Sequence, residues 1–165
     1  MQNILNDKLI NLFPNIFCKV LTINYFDKSF IQRIKQNSDA VLVGITTDGI
    51  PQIPNEPLFH SLHNIRIGKD KLPFEDQSFT LIIGENILSD CFSLPQTINE
   101  LHRILVEGGI FITAEPNIQY YPHLLKLLHG NWDATLEEEK EKLHFFTPAS
   151  LGILLNNSSY YVLFL

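Results

Sequence analysis

Tyr120, His123 and His144, in the last third of the chain, are side chains suited to moving a proton. An imidazole titrates close to neutrality and a phenol both donates and accepts, so any of the three could serve as a base. Carboxylates precede them at Asp48, Asp70, Glu85 and Asp90, and the smaller polar residues Thr22, Asn24 and Thr46 close two apolar runs. Cys18 and Cys91 are single, far apart and set in apolar surroundings, which fits buried reduced thiols rather than a zinc site or a disulfide framework. Taken one at a time, each polar residue suits a solvated loop as well as a ligand role. The elements that carry them must decide.

Those elements alternate. Ile4 to Phe13 has the apolar spacing of a short helix that Pro14 stops, and 18–24 is a first strand. Asp27 can cap a helix with Phe30, Ile31 and Ile34 as its buried stripe, and 40–45 is a second strand, apolar on both faces. Pro51, Pro54 and Pro57 leave room for only a short helical turn near 58–62, before a third strand at 64–67. Phe79 to Gly84 is the fourth strand. Ser93 and Gln96 have capping-box spacing for a helix that buries Leu94, Ile98, Leu101 and Leu105 and ends at Gly108-Gly109. A fifth strand at 110–114, a helix over 119–129, an exposed helix around Glu137 to Glu141 and a helix opened by Thr147-Pro148 follow. Tyr160 to Leu165 reads as a sixth strand. Strands alternating with helices make an α/β fold: a Rossmann-like, mostly parallel sheet of about six strands covered on both faces.

At 165 residues, 45% hydrophobic and 18% charged, the composition suits a single domain spanning 1–165. A net charge of -6 without a basic cluster argues against nucleic acid as a partner. There is no basic leader, and no apolar run has the length of a membrane span, so a cytoplasmic domain without a membrane partner is expected.

Leu72-Pro73-Phe74-Glu75-Asp76-Gln77-Ser78-Phe79 resembles the turn before the fourth strand in the class I S-adenosylmethionine-dependent methyltransferases, in particular their type 11-like small-molecule branch. Glu100-Leu101-His102-Arg103-Ile104-Leu105, Gly108-Gly109, Glu115-Pro116-Asn117 and Phe145-Phe146-Thr147 are similar to later signals of the family, in the family's order. The resemblance implies S-adenosylmethionine lying across the carboxyl ends of the strands, near the switch point. It assigns Thr22 and Asn24 to the turn facing the cofactor's methionine end. Thr46 or Asp48 falls at the ribose, Asp70 near the adenine, and Glu85 beside the methyl-transfer centre. Asp90, Tyr120, His123 and His144 become candidate catalytic residues, with a small-molecule acceptor. The chain departs from the family where cofactor binding is concentrated. No glycine occurs in 22–27, so Asn24 and Phe26 bring side chains where the family leaves space, and no acid closes the second strand.

Two readings therefore stand side by side: a methyltransferase with an atypical cofactor loop, and a catalytically inactive methyltransferase-like module kept for binding or assembly. A nicotinamide-dependent oxidoreductase is a distant third, since its fingerprint needs the same absent glycines. The family's sheet usually ends in a hairpin of two strands, and this chain supplies one. The chain is thus expected to be a fragment of a longer protein, or to have its apolar C-terminal edge strand covered by a second copy or a partner chain.

Overall fold

The computed structural model describes residues 18–24, 28–37, 39–47, 59–130 and 142–162. The expected helix at 4–13, Phe26, Asp27, Asp48, the acidic run Glu137 to Glu141 and residues 163–165 lie outside these.

Five parallel strands form one sheet: β1 Lys19–Ile23, β2 Val41–Thr46, β3 Ser61–Asn64, β4 Phe79–Glu85 and β5 Leu105–Ala114, in the spatial order β3-β2-β1-β4-β5. Helix α1, Lys28–Asn37, joins β1 to β2. The short α2, Ile87–Asp90, and the longer α3, Leu94–Ile104, join β4 to β5. Helices α4, Tyr121–Leu128, and α5, Pro148–Asn157, follow the sheet.

The apolar runs in β1, β2 and β4 bury both faces, and period-two alternation sorts their side chains into two cores. Val20, Leu42, Leu81 and Ile83 pack with Ile31 and Ile34 of α1. Leu21, Ile23, Val43, Ile45 and Ile82 pack on the other face with Leu88, Ile98, Leu101 and Ile104 of α2 and α3, joined by Phe146 and Leu155. The sheet is therefore covered by α1 on one side and by α2 and α3 on the other.

The Leu-Pro-Phe turn plugs into the second core. Leu72 is buried, and the Phe74 ring meets Phe79 edge-on at 5.0 Å between centroids. Arg103 and Glu100 are more than the helix-surface pair their spacing suggests. Glu100 accepts from the Leu72 amide at 2.9 Å, and Arg103 donates to the Phe74 and Leu72 carbonyls at 2.8 and 3.1 Å. Together they clamp the turn onto α3.

Several local expectations are corrected. The third strand lies at Ser61–Asn64, displacing the helical turn expected near 58–62, while Ile67 is buried in the turn that follows. Ser93 is the N-cap of α3, but its hydroxyl makes no cap hydrogen bond. The chain there is instead docked through backbone on the preceding turn: Phe92 N donates to Ile67 O at 3.1 Å, and a Cβ on Gly68 would lie 2.7 Å from Ser93 N. Helix α3 stops at Ile104, before Gly108-Gly109, because the Gln77 and Ser78 amides take the Arg103 and Ile104 carbonyls at 2.8 Å each. Gly108, at φ +72°, serves a bend inside β5, where the pairing with β4 shifts between Leu105 and Ile110.

No sixth strand forms among the described residues. After α5 the Tyr160 amide returns to Leu155 O at 3.1 Å, and the Tyr160 ring packs on Phe111 of β5 at 5.6 Å. Among the described residues the free edge on this side of the sheet is β5 itself, which pairs with β4 alone.

Candidate functional site

β1 and β4 are neighbours in the sheet, with Ile23 opposite Gly84, yet their chains leave in opposite directions. β1 continues to α1 on one face, and β4 continues to α2 and α3 on the other. A crevice must open between their carboxyl ends, which is where α/β sheets of this kind take ligands.

An asparagine in the left-handed conformation makes each exit. Asn24 follows β1 at φ 51° and Asn86 follows β4 at φ 57°. Asparagine tolerates this region better than other residues with a side chain. Their backbone amides pair with the flanking strands: Asn24 N donates to Ile45 O of β2, and Asn86 N to Ala114 O of β5, both at 2.9 Å. The two strands also approach closely, since a Cβ on Gly84 would lie 2.3 Å from the Ile23 carbonyl and 2.6 Å from Ile87 Cδ1.

The Asn24 side chain turns the same way as its amide. Its Oδ1 accepts from Thr47 N at 3.1 Å, and its Nδ2 donates to Thr47 Oγ1 at 3.2 Å. The side chain therefore ties the end of β1 to the end of β2. Thr46 beside it is buried. Thr22, one residue below the end of β1, is 0% exposed, and its hydroxyl has no hydrogen-bond partner among the described residues. Asp70 is exposed on the turn beyond β3, and Asp48 lies outside the described residues.

On the β4 side the polar residues converge. Glu85 is half-buried at the strand end, and Asp90, the last residue of α2, pairs with Lys142 at 3.3 Å. The strap 142–146 runs over α2, with the Leu143 and His144 amides donating to Ser89 O at 2.8 and 3.0 Å. His144 Nε2 lies 3.1 Å from Cys91 O. With the proton on Nε2 the ring donates to that carbonyl, and Nδ1 is left as the basic nitrogen. Cys91 is buried as expected, and burial pushes its thiol up, whereas Cys18 is exposed, contrary to the expectation of a buried thiol. Tyr120 and His123 form a second group at the start of α4, with ring centroids 5.6 Å apart. Tyr120 is exposed and His123 half-buried.

Five of the candidates thus fall into three places: Asn24, tied to Thr47 beyond β2; Asp90 and His144, at α2; and Tyr120 with His123, at the start of α4. Glu115 was not singled out by the sequence as a site residue. It follows β5, and its carboxylate accepts from the Leu88 and Ser89 amides at 2.9 and 3.0 Å, from Thr113 Oγ1 at 2.6 Å and from Ser89 Oγ. An acid directly after the half-buried edge strand, with a threonine two residues earlier, is no distinguishing signal in the sequence.

The fit to S-adenosylmethionine is divided. The backbone fits, because Asn24 supplies the left-handed turn and keeps its side chain out of the crevice. The ribose clamp does not: no carboxylate closes β2 among the described residues, and the polar groups of Asn24 and Thr47 satisfy each other. Among the described residues no group of acids, histidines and cysteines could hold a metal ion. No described helix is long and apolar enough to cross a membrane.

Comparison with known proteins agrees with this architecture. Residues 52–113 match the model of a methyltransferase domain family. No curated protein matches the sequence. Among solved structures, a SAM-dependent methyltransferase of Thermotoga maritima superposes with a TM-score of 0.68 at 17% identity, over 93% of this chain and 68% of that one. One from Methanosarcina mazei gives 0.60 at 16%, over 93% and 84%. A Haloferax volcanii methyltransferase in complex with a methyltransferase activator gives 0.62 at 16%, over 86% of this chain and 60% of that one. The chain has the fold of the class I S-adenosylmethionine-dependent methyltransferases, and its central stretch, 52–113, is similar to a methyltransferase domain family.

Proposed function

We propose that this chain is an S-adenosylmethionine-dependent methyltransferase-type domain acting on a small-molecule acceptor. The observation that supports the reading is Asn24, which makes the left-handed exit from β1 without glycine and ties its side chain to Thr47 beyond β2 rather than towards β4. The cofactor, when bound, supplies an electrophilic methyl group on sulfur. The chain's own work is to hold the acceptor in line with it and, where the acceptor is protonated, to take a proton. His144 is the best-supported base, since its backbone and ring are both held against α2. Asp90, Tyr120 and His123 remain candidates. Glu85 and Asn24 would border the cofactor, the exposed Asp70 would have to swing towards it, and Thr22 and Thr46 would contribute backbone; Asp48, the other ribose candidate, lies outside the described residues.

One observation favours a second reading, a non-catalytic module that keeps the sheet for binding or assembly. The Asn24–Thr47 hydrogen bonds take up polar groups at the end of β2, where a ribose would need free acceptors. Calorimetric titration with S-adenosylmethionine and with its demethylated product separates the two. Dissociation constants on the order of micromolar support the transferase. Absence of heat at millimolar ligand refutes it and leaves the module.

A further inference from the structure

Glu115 is bonded to capacity. Oε1 accepts from Leu88 N and Thr113 Oγ1, and Oε2 from Ser89 N and Ser89 Oγ, so the lone-pair sites of an ionised carboxylate are all engaged. An amide could not replace it, because its NH2 would face a donor. Ser89 in turn is buried, and its carbonyl accepts both strap amides, Leu143 N at 2.8 Å and His144 N at 3.0 Å. The strap is further fixed where Asn117 bridges Phe146 and the Ile118 amide donates to Phe146 O at 2.9 Å. A continuous chain of hydrogen bonds thus runs from the end of β5, through Glu115 and Ser89, to the backbone that carries His144. Asn86, at the start of the same turn, is anchored to β5 through Ala114.

We propose that Glu115 is a positioning residue: through Ser89 it sets, as one unit, the β4–α2 turn and the 142–146 strap that together wall the crevice on the β4 side. Its effect on cofactor affinity rests on the proposed function; its effect on the wall does not.

The test compares the intact chain with Glu115→Gln and Ser89→Ala by amide hydrogen exchange and by calorimetry with S-adenosylmethionine. In E115Q the Leu88 and Ser89 amides should lose protection by about tenfold or more, as loss of a charge-assisted hydrogen bond implies. The Leu143 and His144 amides should lose protection with them, while those of Leu21 and Ile83 in the sheet keep theirs. S89A should give the same pattern more weakly. Cofactor binding should weaken by about tenfold in E115Q. Unchanged exchange at Leu88 and Ser89 overturns the proposal, and so does loss there with the strap amides untouched. Unchanged affinity in a variant whose wall has loosened overturns the link to the crevice. If the unaltered chain binds no cofactor, the proposed function fails and the exchange pattern alone decides the role of Glu115. Should E115Q lose protection in the sheet as well, S89A carries the test by the same criteria.

Discussion

Arg103→Met should be among the most damaging single substitutions outside the apolar core. Arg103 donates five hydrogen bonds: to Glu100 Oε1 and Oε2 at 2.9 and 2.8 Å, to Asp76 Oδ1 at 2.6 Å, and to the Phe74 and Leu72 carbonyls at 2.8 and 3.1 Å. They differ in worth. The Asp76 side chain is 74% exposed, so that ion pair is screened and contributes little. Glu100 is 21% exposed and Arg103 18%, and methionine would leave the carboxylate with the Leu72 amide as its remaining donor. The Phe74 carbonyl loses the guanidinium as well, and the Leu72 carbonyl keeps only the Phe74 amide at 2.8 Å. Breaking a partly buried charged network of this kind costs about 3 kcal/mol. For a domain of this size that lowers Tm by roughly 6 to 12 °C. Arg103→Lys keeps the charge but not the planar fork, and should cost about 1 to 2 kcal/mol. Thermal and urea unfolding of Arg103→Met, Arg103→Lys and Asp76→Asn form the assay. Asp76→Asn should change stability by less than about 0.5 kcal/mol. If it matches Arg103→Met, or if Arg103→Lys is harmless, the turn is not held by the geometry described and the reasoning fails.

The same clamp makes an acid-side prediction. The hydrogen bond from Arg103 holds the Glu100 carboxyl below its ordinary value of 4.5, with burial opposing and the Leu72 amide assisting. A carboxyl with a depressed folded-state value gives its full stabilisation above the unfolded value and loses it as pH falls through the folded one. Urea midpoints should therefore decline below about pH 4.5, and Glu100→Gln, less stable at neutral pH, should flatten that decline; parallel slopes for the two proteins would contradict it. Thr22→Val removes a buried hydroxyl with no partner among the described residues, so stability should hold or rise. Cofactor affinity should also be unchanged, and a clear loss by calorimetry would show that the Thr22 side chain reaches the ligand after all.

What was legible in the sequence was legible for local reasons. Buried strands announced themselves as apolar runs at β1, β2 and β4, where both faces are covered and no alternation is needed. The Leu72 to Phe79 turn could be read because its plug and its clamp are fixed residue types close in sequence to the strand they precede. Errors arose where tertiary contacts overrode local signals. Gly108-Gly109 looked like a helix stop, but the carbonyls at the end of α3 had already been taken by Gln77 and Ser78. Tyr160 to Val162 has the residue types of a strand, yet Tyr160 is used as a packing ring against Phe111. Glu115 was invisible as a site residue because its partners, Leu88 and Ser89, lie more than two dozen positions earlier, and no local pattern points from one to the other.

Asn24 separates what residue type says about the crevice from what backbone geometry does there. A glycine at that turn does two separable things: it accepts a positive φ, and it presents no side chain. Asparagine does the first directly, at φ 51°. It does the second by folding its side chain away onto Thr47. The absence of glycine therefore does not by itself close the space between β1 and β4. The same fold-back occupies polar groups at the end of β2, so the solution at the turn is a cost at the neighbouring strand. Both rival functions are written into this one residue, and the strength of the Asn24–Thr47 contact against a competing ribose is the quantity that divides them.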